Sequence, residues 1–236
     1  MTPHRRGVVT NRIVSYTSAM NNGEVVHNTK SFVKNRLEGE STGHDWWHVE
    51  RVTNIAGTIH EAEGGDWLVI ELALLLHDIG DRKVIMKIDD DYTIAEAFLI
   101  SQDVPTELIT KIMNIIKTMS FSKSLDGEPE EKSIEHQIVQ DADRLDALGA
   151  IGVARAFAFG GSRGRPLYDP TYEAQNFTST EAYKNAAGST LHHFEEKLFK
   201  LKDLLNTQAA KTIADERDAF MRQFVKQFLD EWNGDK

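Results

Sequence analysis

The chain has 236 residues, 40% of them hydrophobic and 27% charged, with a formal net charge of −10 and no cysteine. That length fits one domain, and two are not required; the apolar content excludes wholesale disorder. The missing cysteines exclude disulfides and thiolate metal sites, so any metal must be held by His, Asp or Glu, and the acidic balance argues against coating a nucleic-acid polymer.

Residues 1–25 read as a loose N-terminal extension. Arg5 and Arg6 have no continuous apolar segment behind them, so no secretory leader is predicted. The longest apolar run, Leu68 to Leu76, contains Glu71 and falls far short of the ~20 residues that span a bilayer. A cytoplasmic protein that does not bind membranes is expected.

Apolar residues recur at three and four throughout, which predicts an all-α fold. A short helix is expected over 29–39, with Phe32, Val33 and Leu37 on one face. A second runs from Trp46 to about Ala62, carrying Val49, Val52, Ile55 and Ile59 and ending at Gly64-Gly65. Trp67 to Asp78 is almost uniformly apolar, which predicts a central buried helix stopped by Gly80. Helices follow over 91–102 and from Pro105, then over 132–148 with Ile134, Ile138, Ala142 and Leu145 aligned, continuing from Ile151 to Phe159. The Gly-, Pro- and Arg-rich stretch 159–170 is the largest break. Thr178 to Glu181 reads as a capping box. Leu191 to Leu205 and a last helix with Ile213, Phe220, Phe224 and Phe228 are expected to form a C-terminal helical hairpin.

Three polar clusters interrupt this pattern: GHDWWHVERV (43–52), His77-Asp78, and QDADRLDALG (140–149). Positions four apart share a helix face, so His44 and His48 are expected to align there, with Arg51 three further on. His77 and Asp78 differ by about 100° around a helix, yet both can reach one point beyond its end. His48 and an aspartate from Asp141, Asp143 or Asp146 would complete a mixed nitrogen and oxygen shell. Imidazole suits zinc, iron, nickel or copper, and carboxylate favours manganese or magnesium. Taken singly, each cluster has an ordinary explanation: a packed imidazole, a helix-terminal hydrogen-bonding pair, a solvated acidic face. Together they break apolar faces at places where polar groups need partners.

His48, His77-Asp78 and Asp143 resemble the H…HD…D signature of the HD-domain metal-dependent phosphohydrolases. Four collinear blocks, GHDWWHVERV, LLLHDIGDRK, QDADRLDALGAIGVARAFAFGG and HHFEEKLFKL, extend the resemblance to a bacterial subgroup of nucleotide pyrophosphohydrolases. It implies a compact single HD-type domain over 26–236. It also implies His48, His77, Asp78 and Asp143 as ligands to a divalent cation, Mn²⁺ first, with Mg²⁺, Fe²⁺, Ni²⁺ and Zn²⁺ as alternatives. The implied reaction is hydrolysis of (deoxy)nucleoside triphosphates to monophosphate and pyrophosphate. The alternatives are a 5′-nucleotidase, a (p)ppGpp-type hydrolase, or a non-catalytic, metal-stabilised nucleotide-binding module.

Where several family members carry Glu three residues after the HD pair, this chain has Asp81. Asp81 is expected to orient the attacking water or shuttle its proton, and Lys83 to clamp developing phosphate charge. His44, Arg51, His193 and Lys197 are candidates for binding substrate. Trp46 and Trp47 could stack a base, though packing explains at least one of them more simply. An apolar helix face would serve a homodimer as well as a core.

Overall fold

The computed structural model describes residues 21–39, 43–80, 92–125, 127, 131–184 and 188–235, and among these every regular element is helical. The helices are α1 (Asn22–Arg36), α2 (Trp46–Glu63), α3 (Trp67–Leu76), α4 (Thr93–Ser101), α5 (Thr106–Thr118), α6 (Phe121–Ser124), α7 (Ile134–Asp146), α8 (Gly149–Ser162), α9 (Thr180–Lys184), α10 (Phe199–Leu201) and α11 (Gln208–Asn233). A π-helical turn, Phe194–Leu198, leads into α10, and a 3₁₀ turn, Lys202–Leu204, follows it.

The hydrophobicity of α3 decides its place. Leu72 to Leu76 are all at most 1% exposed, and burying each leucine contributes about 1.5–3 kcal/mol. So α3 is the central rod, with α1, α2, α5 and α7 against it. Next to it, α2 and α7 pack along each other, and α8 and α11 form an outer layer beyond them. Val49, Val52 and Ile59 of α2 meet Ile138, Ala142 and Leu145 of α7 in one core. The three polar clusters therefore sit where α2, α3 and α7 converge.

The start of α1, the place of His44 and the cap of α9 differ from the sequence reading. Asn21 caps α1, its side chain accepting from the Glu24 N–H, and Val25 is buried; residues 22–25, grouped above with the extension, are thus the first turn of a core helix. The start of α2 is set by Asp45, whose carboxylate accepts from the His48 N–H at 2.9 Å, so His44 lies before the helix. At α9 the cap is Ser179, which accepts from the Ala182 N–H, and not Thr178. One residue of register removes the expected pairing with Glu181.

The C-terminal segments pack with apolar faces together: Phe194 stacks on Phe224 at 6.1 Å, and the Arg222 guanidinium lies 4.3 Å over Phe199. The main partner of α11 is nevertheless α8. The junction before α11 is pinned from α7. Asp141, fully buried, accepts from Asn206 and Thr207 through backbone and side-chain donors at 2.7–3.1 Å. No helix among the described residues is long and apolar enough to cross a membrane.

Candidate metal centre

His48 projects from the first turn of α2, His77 caps the C-terminus of α3, Asp78 follows in the turn, and Asp143 projects from α7. Their donor atoms meet. His48 Nε2 lies 3.1 Å from His77 Nε2, 3.6 Å from Asp78 Oδ2 and 3.5 Å from Asp143 Oδ1, and His77 Nε2 lies 3.4 Å from Asp78 Oδ2. His44 adds Nδ1 at 3.0 Å from Asp78 Oδ2. It arrives from the loop before α2 and not through helical spacing, with its ring edge-on to His48.

The tautomers are fixed from behind. His77 Nδ1 donates to the Leu74 carbonyl at 2.7 Å, and His48 Nδ1 donates to Asp146 Oδ2 at 2.7 Å. A ring nitrogen committed in this way turns the other one to the ligand position. Both Nε2 atoms therefore converge, and only a proton or a cation can sit between them. A cation about 2.1 Å from each donor sets neighbouring donors about 3.0 Å apart at a right angle and about 3.4 Å apart at a tetrahedral angle. The observed 3.1–3.6 Å spacings fit that shell. The set of two imidazoles and two carboxylates suits a divalent transition ion.

Electrostatics agree. Burial would raise Asp78, but the neighbouring His77 and His44 hold it well below its ordinary value. Asp143 is lowered because His77, His48 and Arg155 outweigh its burial. Burial, with the Arg155 charge, pushes His48 down to about 4. Burial alone would also lower His77, but Asp78 and Asp143 outweigh it and raise it. The cluster is thus built with ionised carboxylates and a neutral His48.

Other predicted residues fall differently. Arg51 donates Nε and Nη2 to both oxygens of Asp146, at 2.8 and 3.1 Å, so its fork serves the support of His48. The His193 ring packs on Tyr183, and Lys197 lies 5.3 Å over the Phe121 ring. Asp81 and Lys83 lie outside the described residues. Trp46 is partly buried against the core, whereas Trp47 is 60% exposed.

Two residues that matter here were missed as site residues. Asp146 was read as one of three interchangeable aspartates, and Arg155 was not singled out. Asp146 is 1% exposed and receives His48, Arg51 and Arg155, the last through Nη1 at 2.8 Å. Three-residue spacing puts it on the same side of α7 as Asp143, but nothing in the spacing says which neighbouring helix that side meets.

The HD domain family model matches residues 46–148, which span all four candidate ligands. YpgQ of Bacillus subtilis is 39% identical over 200 residues, covering 84% of this chain and 89% of YpgQ. A solved structure from Lactobacillus plantarum superposes with a TM-score of 0.83 at 38% identity, covering 89% of this chain and 98% of that one. An HD-superfamily hydrolase from Bacillus thuringiensis superposes at 0.68 with 41% identity, covering 90% and 99%. YpgQ in complex with ADP superposes at 0.68 with 35% identity, covering 87% and 96%. With the ligand geometry in place and these likenesses running through most of its length, this chain belongs to the HD-domain superfamily of hydrolases.

Proposed function

We propose that this protein hydrolyses (deoxy)nucleoside triphosphates to the monophosphate and pyrophosphate, using a bound divalent cation, Mn²⁺ before Mg²⁺, Fe²⁺, Ni²⁺ or Zn²⁺. The observation that carries the reading is that His48 Nε2 lies 3.1–3.6 Å from His77 Nε2, Asp78 Oδ2 and Asp143 Oδ1, at the meeting of two overlapping triads, His44-His48-Asp78 and His48-His77-Asp143. A close relative whose structure holds ADP supports a nucleotide as the ligand class.

When bound, the cation supplies Lewis acidity towards a phosphoryl oxygen and an attacking water. The chain's own residues do the rest. Asp146 and the Leu74 carbonyl hold the two imidazoles in the tautomer that presents Nε2. The centre is open on the side of Asp143 and His44, whose side chains are 31% and 21% exposed, so the phosphate chain would enter there. His44 would steady Asp78 and face the incoming substrate. Asp81 would take the proton of the attacking water, and Lys83 would meet the charge that builds on the leaving group. Water adds to the α-phosphorus, the bond from Pα to its bridging oxygen breaks, and pyrophosphate leaves.

The test is incubation of purified protein with Mn²⁺ and a panel of NTPs and dNTPs, with products identified and the assay repeated on His77→Ala. Monophosphate plus pyrophosphate is expected, and is lost in the variant. Orthophosphate plus nucleoside would instead mark a nucleotidase, and pyrophosphate released only from (p)ppGpp an alarmone hydrolase. Binding with no turnover of any nucleotide would leave the non-catalytic module.

A further inference from the structure

We infer that Arg155, from α8, grips the phosphate chain of the substrate beside the cation. The inference rests on the nucleotide-hydrolase reading and assigns a residue to its anion.

Three observations carry it. First, Arg155 is only partly used. Its Nη1 donates to Asp146 Oδ2 at 2.8 Å, and among the described residues its Nε and Nη2 have no hydrogen-bond partner. Its side chain is only 15% exposed. The planar fork of these remaining N–H groups suits phosphate oxygens. Arg51 is the rejected rival, because two of its groups already hold both oxygens of Asp146.

Second, Arg155 stands next to the ligands. Asp146 Oδ2 takes both its Nη1 and His48 Nδ1. Its charge is felt at His48, His77 and Asp143. The backbone at Gly43, φ +91°, lies against its stem: a Cβ there would meet Cγ and Nε at 3.3 Å. This is the loop that brings His44 to Asp78, so the covered stem and the contact with Asp146 place the guanidinium head at the site.

Third, the charges leave room for an anion. Asp78, Asp143 and Asp146 are set against Arg51 and Arg155. Asp146 is matched by Arg51, and a divalent cation matches Asp78 and Asp143. One positive charge, that of Arg155, remains for the substrate.

Two titrations on Arg155→Lys and Arg155→Ala test this. Mn²⁺ alone is titrated first; then, at saturating Mn²⁺, pyrophosphate and an α,β-imido nucleoside triphosphate. Expected is Mn²⁺ affinity within about threefold of wild type, with affinity for both phosphate ligands reduced about tenfold or more. Arg155→Lys keeps the charge but not the fork, so it serves if Arg155→Ala fails to fold. Weaker Mn²⁺ binding with unchanged analogue affinity at saturation would overturn the inference and leave Arg155 as a support for Asp146. Wild-type protein that binds neither phosphate ligand would overturn the nucleotide reading, and the inference with it.

Discussion

His48 and His77 face each other Nε2 to Nε2 at 3.1 Å, each with its Nδ1 committed behind it. Without a cation, the arrangement that avoids opposed lone pairs is a proton on His77 donated to His48. The raised His77 and lowered His48 both point to that state. A metal that takes both nitrogens must displace the proton, because only unprotonated imidazole ligates.

Calorimetric titration of metal-free protein with Mn²⁺ at pH 6, in buffers of different ionisation enthalpy, checks this. The expected result is release of about one proton per ion bound, and its loss in His77→Ala along with tight binding. A binding enthalpy independent of buffer would overturn the shared proton.

Asp146 is expected to matter more than its distance from the open side of the site suggests. It fixes the His48 tautomer and accepts from two guanidiniums while almost fully buried. Asp146→Asn leaves those charges without their carboxylate and lets the amide present either a donor or an acceptor to His48. Loss of an orienting carboxylate behind a metal-bound histidine typically lowers metal affinity about 10–100-fold, and breaking a buried ion pair costs about 3 kcal/mol. Urea denaturation and Mn²⁺ titration of the variant measure the two separately. Wild-type values in both would show that His48 is held by its packing alone.

What the sequence could and could not disclose follows from these contacts. The candidate ligands were legible because His48, His77-Asp78 and Asp143 each interrupt an apolar face and resemble a known signature. Among the aspartates, spacing alone was mute: Asp141 goes to Asn206 and Thr207, Asp143 to the centre, and Asp146 to His48. Which way each points depends on where α2 and α11 cross α7, and helical periodicity within α7 does not encode that. Arg155 was hidden for the same reason, since its partners lie on another helix. The early start of α1 was a different kind of miss. Asn21 is a cap, but polar residues before a weakly amphipathic helix look like the end of a loose segment.

The pH dependence of stability in the metal-free protein separates the two histidines. His48 titrates at about 4 in the fold against 6.5 when free, because burial and Arg155 disfavour its charged form. The unfolded chain therefore binds a proton there that the folded chain does not, and stability falls as pH drops from 6.5 to 4. A difference of that size is worth about 3 kcal/mol. His77 acts in the opposite sense and in another window. Its raised value contributes stability fully present below 6.5 and lost as pH rises through the folded value. Asp78, Asp143 and Asp146 contribute stability present above about pH 4 and lost as pH falls through their lowered values. Stability against urea in a chelator should thus fall from pH 6.5 to 4, with a shallower slope in His48→Asn. Equal slopes in the two proteins would count against a neutral buried His48.

Gly152 tests whether the site depends on the joint between α7 and α8. A Cβ at Gly152 would lie 2.2 Å from the Ala147 carbonyl oxygen and 2.5 Å from its carbon. Both are backbone atoms, so the added methyl has no flexible side chain to push aside and the helices must part. Asp146 stands one residue before Ala147, and Arg155 three after Gly152, so their 2.8 Å contact spans this joint. Gly152→Ala should therefore destabilise the protein by about 1–3 kcal/mol, as overpacking does. That effect outweighs the ~1 kcal/mol that alanine gains over glycine within a helix. It should also weaken Mn²⁺ binding, although Gly152 carries no ligand, because parting the helices moves Asp146 away from His48 Nδ1. Thermal unfolding with and without Mn²⁺ reads both: a lower Tm and a smaller metal-induced rise are expected. A Tm equal to wild type would mean that the turn yields at no cost, and a lower Tm with an undiminished metal-induced rise would uncouple the joint from the metal centre.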